Sequence, residues 1–408
     1  MIYYISDNKM FRLDGTTRKV EEIKSRALES YTEKVRENAR RNEWKTSGSG
    51  AAFLGDSPES LSPDAAVKAI HSEIHSLRGD RGTAIYSITI DSISGVYSHG
   101  ENSSSDGIVM SHAEHGYTDF DVSRDKIVVS ETDGAETHIG IIDRDTSKIE
   151  ILTEGESRER WPVWSAMKRD RIIYSGCGLA ISRAESSQKP LMMMTVADLK
   201  GSGIVSCEES PYYVCALDLD TMELSELVTD STQRYSYVKP HESADGYIYY
   251  IKKPYKNEEK QGSGCLSALL APFRLLGALF GFLNFFTMKY SGKTLAGGKG
   301  NTKAKSRTEA EMFIDGNLVN AGKELERNEK SGDKFPGIIP RSYELCRRLG
   351  ASGREEVIKR GVIAYAVDRS GEIYCSNGNH LLKLTPNGTD YDESVLAKDK
   401  AISFVSIE

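Results

Sequence analysis

Three residues in the stretch SHAEHGYTDF have the types and spacing of a metal site: His112, Glu114 and His115 offer two imidazoles and a carboxylate within four positions. Such a set suits a zinc-like divalent ion, which takes nitrogen and carboxylate oxygen ligands, needs three protein donors and depends on groups behind the ligands to orient them. The chemistry would be Lewis-acid activation of water or of a substrate oxygen. His112 and His115 are therefore weak metal candidates, and His241 occupies a similar place further along the chain. A His-x-x-His pattern on a loop is loose, and hydrogen-bonded loop histidines are the plainer reading.

Other catalytic fingerprints are missing. There is no GxSxG nucleophile elbow, no GxGxxG and no GxxxxGK[ST]. The stretch GGKGNTK (297–303) imitates a phosphate loop weakly, because it follows no buried strand and opens no clear helix. The six cysteines, Cys177, Cys207, Cys215, Cys265, Cys346 and Cys375, are scattered without a CxxC pair, as in reduced core or surface thiols. No cofactor is implied. A net charge of -7 argues against a nucleic-acid binder, which needs clustered cations facing phosphate. The first residues, MIYYISDNKMF, are strand-like and lack a basic start followed by an apolar core, so a cytoplasmic location is expected.

The most unusual segment is GCLSALLAPFRLLGALFGFLNFFTMKY, Gly264 to Tyr290. Between Cys265 and Met288 its strongly polar side chains are Arg274 and Asn284, so its length approaches the roughly 20 apolar residues that span a bilayer. Its flanks, YIYYIKKPYK and FTMKYSGKTL, read as parts of one structural unit, which predicts an insert (257–307) that leaves and returns on one face. The reading adopted is an interfacial or re-entrant helical hairpin contacting membrane or partner through Leu269, Leu270, Phe273, Leu276, Phe280, Phe282, Phe285 and Phe286. Lys252, Lys253, Lys256 and Lys260 precede it, and Lys289, Lys293, Lys299, Lys303, Lys305 and Arg307 follow it, which suits an anionic leaflet. A protein-docking helix and a helix folded over its own domain are the alternatives. The chain is expected to rejoin its unit near MFIDGNLVNAG.

The elements that position these groups come from internal repetition. IGIIDRDTSKIEILTEG (139–155) lines up with VCALDLDTMELSELVTDS (214–231): an apolar strand, an Asp-x-Asp-Thr turn and a second alternating strand. Asp143, Asp145, Asp218 and Asp220 are thereby read as turn residues capping backbone amides. Upstream, YTDFDVSRDKIVVSE, WPVWSAMKRDRIIYSG and YSYVKPHESADGYIYYIKK each supply an inner strand, a polar turn and a Val/Ile/Tyr strand. One unit is thus four antiparallel strands, the blade of a β-propeller. The N-terminus supplies three strands, and AISFVSIE (401–408) is an orphan, so the last strand is expected to close the first blade.

Counting gives six blades in one domain over 1–408: about 1–45 with 401–408, 46–115, 116–158, 159–232, 233–352 and 353–400. Ser62 to Arg78 is predicted helical, with Ser62 as N-cap, Pro63 at the first position and Val67, Ile70, Ile74 and Leu77 as one stripe. Ala27 to Glu43 is a second predicted helix, its charges forming a solvated face. Loops before inner strands crowd the axial mouth, which makes His112, Glu114, His115, Tyr117, Asp119, Trp161 and His241 axial-loop candidates. Arg160, Trp164, Tyr235 and Tyr237 are further funnel candidates, with packing between blades as their alternative role.

The strand, Asp-x-Asp-Thr, strand repeat, at Asp143–Thr146 and Asp218–Thr221, resembles the six-bladed TolB-like and dipeptidyl-peptidase N-terminal propellers over about two thirds of the chain. The resemblance implies an all-β propeller with a binding face. The function expected is a non-catalytic scaffold that recognises a protein partner or small ligand at one face and is held at a membrane surface by the insert. The alternatives are an axial metal-dependent lyase or hydrolase acting on carbohydrate or peptide, and a soluble subunit that docks through the insert.

Overall fold

Short apolar runs ended by Asp, Asn or Gly fold into antiparallel strands here, and tight turns set their register. Asp7 and Asn8 both have positive φ, 48° and 58°, the two-residue turn that matches strand twist, and Arg81 and Gly82 repeat it. The computed structural model describes residues 1–42, 62–100, 106–123, 125–183, 204–255, 311–314, 317–388 and 390–408. The predicted insert 257–307, with all eight of its named apolar contact residues, lies outside the described residues.

The chain opens with β1 (Ile2–Ser6), β2 (Lys9–Leu13) and β3 (Val20–Ile23), followed by α1 (Arg26–Asn42) and α2 (Pro63–Lys68). The second blade is β4 (Ser72–Asp80), β5 (Thr83–Ile90), β6 (Ile93–His99) and β7 (Gly107–His112). The third is β8 (Gly116–Ser123), β9 (Lys126–Asp133), β10 (Glu136–Asp143) and β11 (Lys148–Ile151). The fourth contains β12 (Ser157–Trp164), β13 (Arg171–Arg183), β14 (Ile204–Glu209), β15 (Tyr213–Asp218) and β16 (Leu224–Val228). Next come β17 (Tyr235–Glu242), β18 (Tyr247–Pro254), β19 (Glu311–Ile314), β20 (Asn317–Asn320), α3 (Ala321–Lys330), β21 (Glu344–Leu349) and β22 (Glu356–Arg360). The last are β23 (Ala364–Val367), β24 (Ile373–Ser376), β25 (His380–Asn387), β26 (Asp390–Lys398) and β27 (Ile402–Ile407).

Four separate four-stranded sheets form, in the orders β27-β1-β2-β3, β4-β5-β6-β7, β17-β18-β21-β22 and β23-β24-β25-β26. A nine-stranded sheet joins the third and fourth blades through a single parallel pair, Thr137 with Arg158. The innermost strands touch in the cyclic order β27, β4, β8, β12, β17, β23 and back to β27, so the ring closes. Closure uses the last strand, which pairs antiparallel with β1 from Ile2 opposite Ile407 to Ser6 opposite Ile402.

Strands towards the inside of a blade, such as β1 and β5, are sandwiched between neighbouring blades, which explains their nearly continuous apolar character, whereas outer strands such as β3 and β11 alternate or stay exposed. In β1, Ile2 and Tyr4 pack into the cluster shared with the fifth and sixth blades, whereas Tyr3 and Ile5 face Leu77, Tyr86 and Ile88 of the second. Every such fully buried aliphatic side chain contributes about 1.5–3 kcal/mol. The Asp-x-Asp-Thr turns form as read: Asp143 accepts from the amides of Asp145 and Thr146 (3.2 and 2.8 Å), and Asp218 from those of Asp220 and Thr221 (3.1 and 3.4 Å).

Three expectations are corrected. The helix begun by Ser62, whose hydroxyl accepts from Ala65 N, ends at Lys68; Ile74 and Leu77 lie on β4. Pairing with β5 and a place in the inner ring outweigh the helical spacing of those apolar residues. The MFIDGNLVNAG segment forms its own two-stranded ladder, β19 with β20, rather than rejoining the blade, which resumes at β21. Residues 356–360 belong to the fifth blade as its outer strand, not to the sixth. The second predicted helix is α1, whose first amides are accepted by Asp106 at 2.7 and 3.1 Å.

Candidate functional site

In five of the six inner strands the ladder to the second strand slips, at the second residue of β27 and around the middle of β4, β8, β12 and β17. The slips leave out Ser403, His75, Thr118–Asp119, Trp161–Pro162 and Lys239–Pro240. A bulge of this kind re-aims a side chain that would otherwise alternate with the pleat. Ser403, His75, Asp119, Trp161 and Lys239 accordingly line one axial cavity of about 430 Å³, at the face where the inner strands begin. This is termed the leading face.

Trp161 and Lys239 are held in the left-handed region, with φ of 54° and 55°. That conformation costs an ordinary residue about 1–2 kcal/mol. Each is followed by proline, a neighbour that favours extended backbone. The surrounding blades must impose these conformations, and Tyr365 helps by donating its hydroxyl to the Lys239 carbonyl at 2.7 Å.

Charge in the mouth is arranged around a paired and an unpaired cation. Arg160 grips Asp119 through Nε and Nη2 at 3.1 and 3.0 Å and lies over the Trp161 ring, 4.6 Å from its centre. Trp161 in turn meets the Tyr212 ring at 5.6 Å, beside a side cavity of about 380 Å³ lined by Arg158, Ser236 and Lys253. Lys239 Nζ donates to Ile363 O at 2.8 Å and, among the described residues, has no carboxylate partner. Two of its three N–H donors are therefore available to a carboxylate, phosphate or carbonyl oxygen. His75 bonds Thr89 Oγ1 at 2.8 Å; burial lowers its pKa, against the opposing charges of Glu73 and Asp119.

Deeper along the axis, a second cavity of about 250 Å³ shares Asp119, Trp161, Lys239 and Phe404 with the first. Here Arg78 Nε stands 3.5 Å from Asp121 and over the Phe404 ring at 5.2 Å. Burial raises the pKa of Asp121, with Arg78 and the Trp164 amide opposing it. His241 lines this cavity, rests against Tyr249 at 6.4 Å between ring centres, and has its pKa pushed down to about 4 by burial and by the Arg78 charge. Such an array supplies charge, stacking surface and hydrogen-bond donors for recognition.

The structure divides the candidates read from the sequence. Asp119 and Trp161 meet in the mouth and His241 lies below it, whereas Tyr117 is buried core packed with Val96 and Phe120. Tyr237 is likewise core, Trp164 lines the deeper cavity, and Tyr235 is partly exposed beneath Lys252 Nζ at 4.5 Å. His112, Glu114 and His115 do come together, their donor atoms within 4.8 Å of one another. His112 ends β7, the outermost strand of its blade, and Glu114 and His115 sit on its connection to β8; none of the three lines the axial cavities. His75 and Lys239 were not among the candidates. The available signal was the repeated X-Pro, WPVW beside VKPH, at one blade position.

No family model matches the sequence, and no curated protein matches it. Among solved structures, TolB from Acinetobacter baumannii is 8% identical with a TM-score of 0.49, and the match covers 99% of this chain and 65% of the TolB chain. A chain of a nidogen/laminin complex is 7% identical at a TM-score of 0.45, covering 99% and 97%. Acylaminoacyl peptidase from Pyrococcus horikoshii is 10% identical at 0.37, covering 79% of this chain and 39% of the peptidase. The strand topology above, rather than these likenesses, carries the fold assignment.

Proposed function

We propose that the protein is a non-catalytic propeller scaffold that recognises a protein partner or small ligand at the axial mouth of its leading face. One observation carries this reading: five inner strands bulge and aim His75, Asp119, Trp161, Lys239 and Ser403 into one cavity, two of them in a strained conformation. Strain persists at a site where the surroundings over-determine it, and recognition is a reason for keeping it.

We further propose that the apolar segment 264–290 holds this scaffold at the cytoplasmic surface of a membrane. Among the described residues no helix is long and apolar enough to cross a bilayer. Support comes from position: Pro254, the end of β18, pairs with Tyr235, the beginning of β17, so the chain departs toward the segment from the leading face. A segment bound to lipid would then turn the mouth toward the membrane surface.

Sedimentation with phosphatidylserine-containing liposomes tests the attachment: the full chain pellets and a deletion of 264–290 stays in solution. Equal pelleting of the two removes the membrane proposal and leaves a protein-docking segment. Detergent co-purification from native cells tests the mouth separately. A partner retained by the wild type is lost with Lys239→Glu, and an unchanged set of partners sinks the axial reading.

A further inference from the structure

His112, Glu114 and His115 lie outside the axial site, and their arrangement is better defined than a loose surface pattern. β7 ends at His112, whose place is fixed by pairing with Ser94 of β6, and β8 begins at Gly116, opposite Thr132 of β9. A three-residue connection between two anchored strands thus carries two of the three donors. The His112 and His115 rings meet edge to face, 4.6 Å between centres. Behind them, His115 Nδ1 stands 3.3 Å from Glu131 Oε1, and Glu131 pairs across the β8–β9 ladder with the buried Tyr117.

We propose that His112, Glu114 and His115 form a three-ligand site for a zinc-like divalent cation at the rim of the leading face, open at its remaining coordination positions.

The donor set selects the ion. Two imidazoles and one carboxylate favour zinc, nickel or copper over magnesium and calcium, which prefer shells made wholly of oxygen. Ligands about 2.0–2.2 Å from a tetrahedral ion stand about 3.3 Å apart, so atoms already within 4.8 Å converge by small side-chain rotations. His112 and Glu114 are exposed and free to make them. His112 Nδ1 now accepts from the Glu114 amide at 3.1 Å; ligation through that nitrogen exchanges this bond for the metal and leaves the amide to water. Glu131 Oε1 lies 3.3 Å from His115 Nδ1, a buried nitrogen that among the described residues has no hydrogen-bond partner; a small rotation of the ring lets Nδ1 donate to Glu131 and presents Nε2 to the ion, the arrangement that commonly supports a metal-bound histidine. Three protein ligands leave room for water or for a donor from a bound molecule.

The test titrates the full chain, freed of any affinity tag, with Zn²⁺ alone by calorimetry and by competition with a chromogenic chelator. One equivalent binds with micromolar affinity. His112→Ala and His115→Ala each weaken binding at least tenfold, Glu114→Gln weakens it measurably, and Mg²⁺ at millimolar concentration does not compete. Glu131→Gln, which touches no metal, weakens binding about 10-fold while the melting temperature of the metal-free protein stays within a few degrees. The absence of stoichiometric binding overturns the proposal, and so does binding that survives in the His112→Ala/His115→Ala double variant. Because His112 and Glu114 are exposed and His115 is partly so, circular dichroism of the metal-free ligand variants should match the wild type, which separates a lost site from a lost fold.

Discussion

Strand β27 serves two regions of this molecule in opposite ways. Along its ladder with β1 it is the closure seam: Ile402, Val405 and Ser406 are buried, and Ser406 Oγ donates to Leu77 O of the next blade at 2.6 Å. Glu408 accepts from the Tyr3 hydroxyl at 3.0 Å and from Gly82 N at 2.7 Å, and donates its own amide to Met1 O at 3.0 Å. At its beginning the same strand slips by one residue, Ala401 takes a φ of 52°, and Ser403 and Phe404 turn to the mouth. The seam satisfies its polar groups and its backbone preferences together. The mouth violates them, at Trp161 and Lys239 as well as here, while leaving donors of Lys239 available. The contrast separates what holds the ring together from what the ring is shaped to present.

The largest effect expected from breaking the comparison is on the seam side. Deleting 401–408 removes an entire inner strand with its buried Ile402 and Val405 and exposes the edge of β1. A loss of at least about 5 kcal/mol follows from two large buried side chains and their ladder, enough to unfold a marginal domain. A single cooperative melt within a few degrees of the wild type would show that closure is not what stabilises the ring.

The seam was readable because strand count is a property of sequence: three strands at one end and an orphan at the other leave one way to close. The Asp-x-Asp-Thr turns were readable for the same reason, their capping being local to four residues. The mouth was not. His75 was hidden by the helical spacing of Ile70, Ile74 and Leu77, a pattern that only the tertiary demand for an inner strand overrides. Bulges escape a period-two reading because they break the alternation on which it depends, and Lys239 emerges only once blades are aligned and Lys-Pro falls beside Trp-Pro. His112, Glu114 and His115 were found by spacing, but the sequence held no sign that an outermost strand would carry them to the rim.

Acid sharpens the comparison from the other side, at an intermediate magnitude. The folded protein holds His241 at about 4, below its ordinary value near 6.5, so the unfolded chain binds the extra proton between these pH values. Stability contributed by the neutral ring is complete above pH 6.5 and is lost as pH falls toward 4. Urea titrations at pH 7 and 4.5 should differ by about 2 kcal/mol from this group, after allowance for its partial exposure, with His75 acting in the same direction. His241→Gln removes most of that difference, and an equally steep pH dependence in the variant would assign the effect to other groups.

The smallest effect isolates the strain itself. At Lys239, with φ of 55°, an alanine keeps the unfavourable backbone and loses the bond to Ile363 O, whereas a glycine loses the same bond and is relieved of the strain. Lys239→Gly is therefore expected to be more stable than Lys239→Ala by about 1 kcal/mol, although glycine is the more flexible residue in the unfolded chain. At Ser406, in ordinary extended backbone on the seam, the order reverses and Ser406→Gly is the less stable of the same pair by roughly 0.5–1 kcal/mol. Paired urea denaturation of the four variants measures both differences with the side chain removed in every case. If alanine is favoured at both positions, the backbone at Lys239 relaxes at no cost and the mouth is not held in a strained state; opposite signs at the two sites place the strain at the mouth and not at the seam.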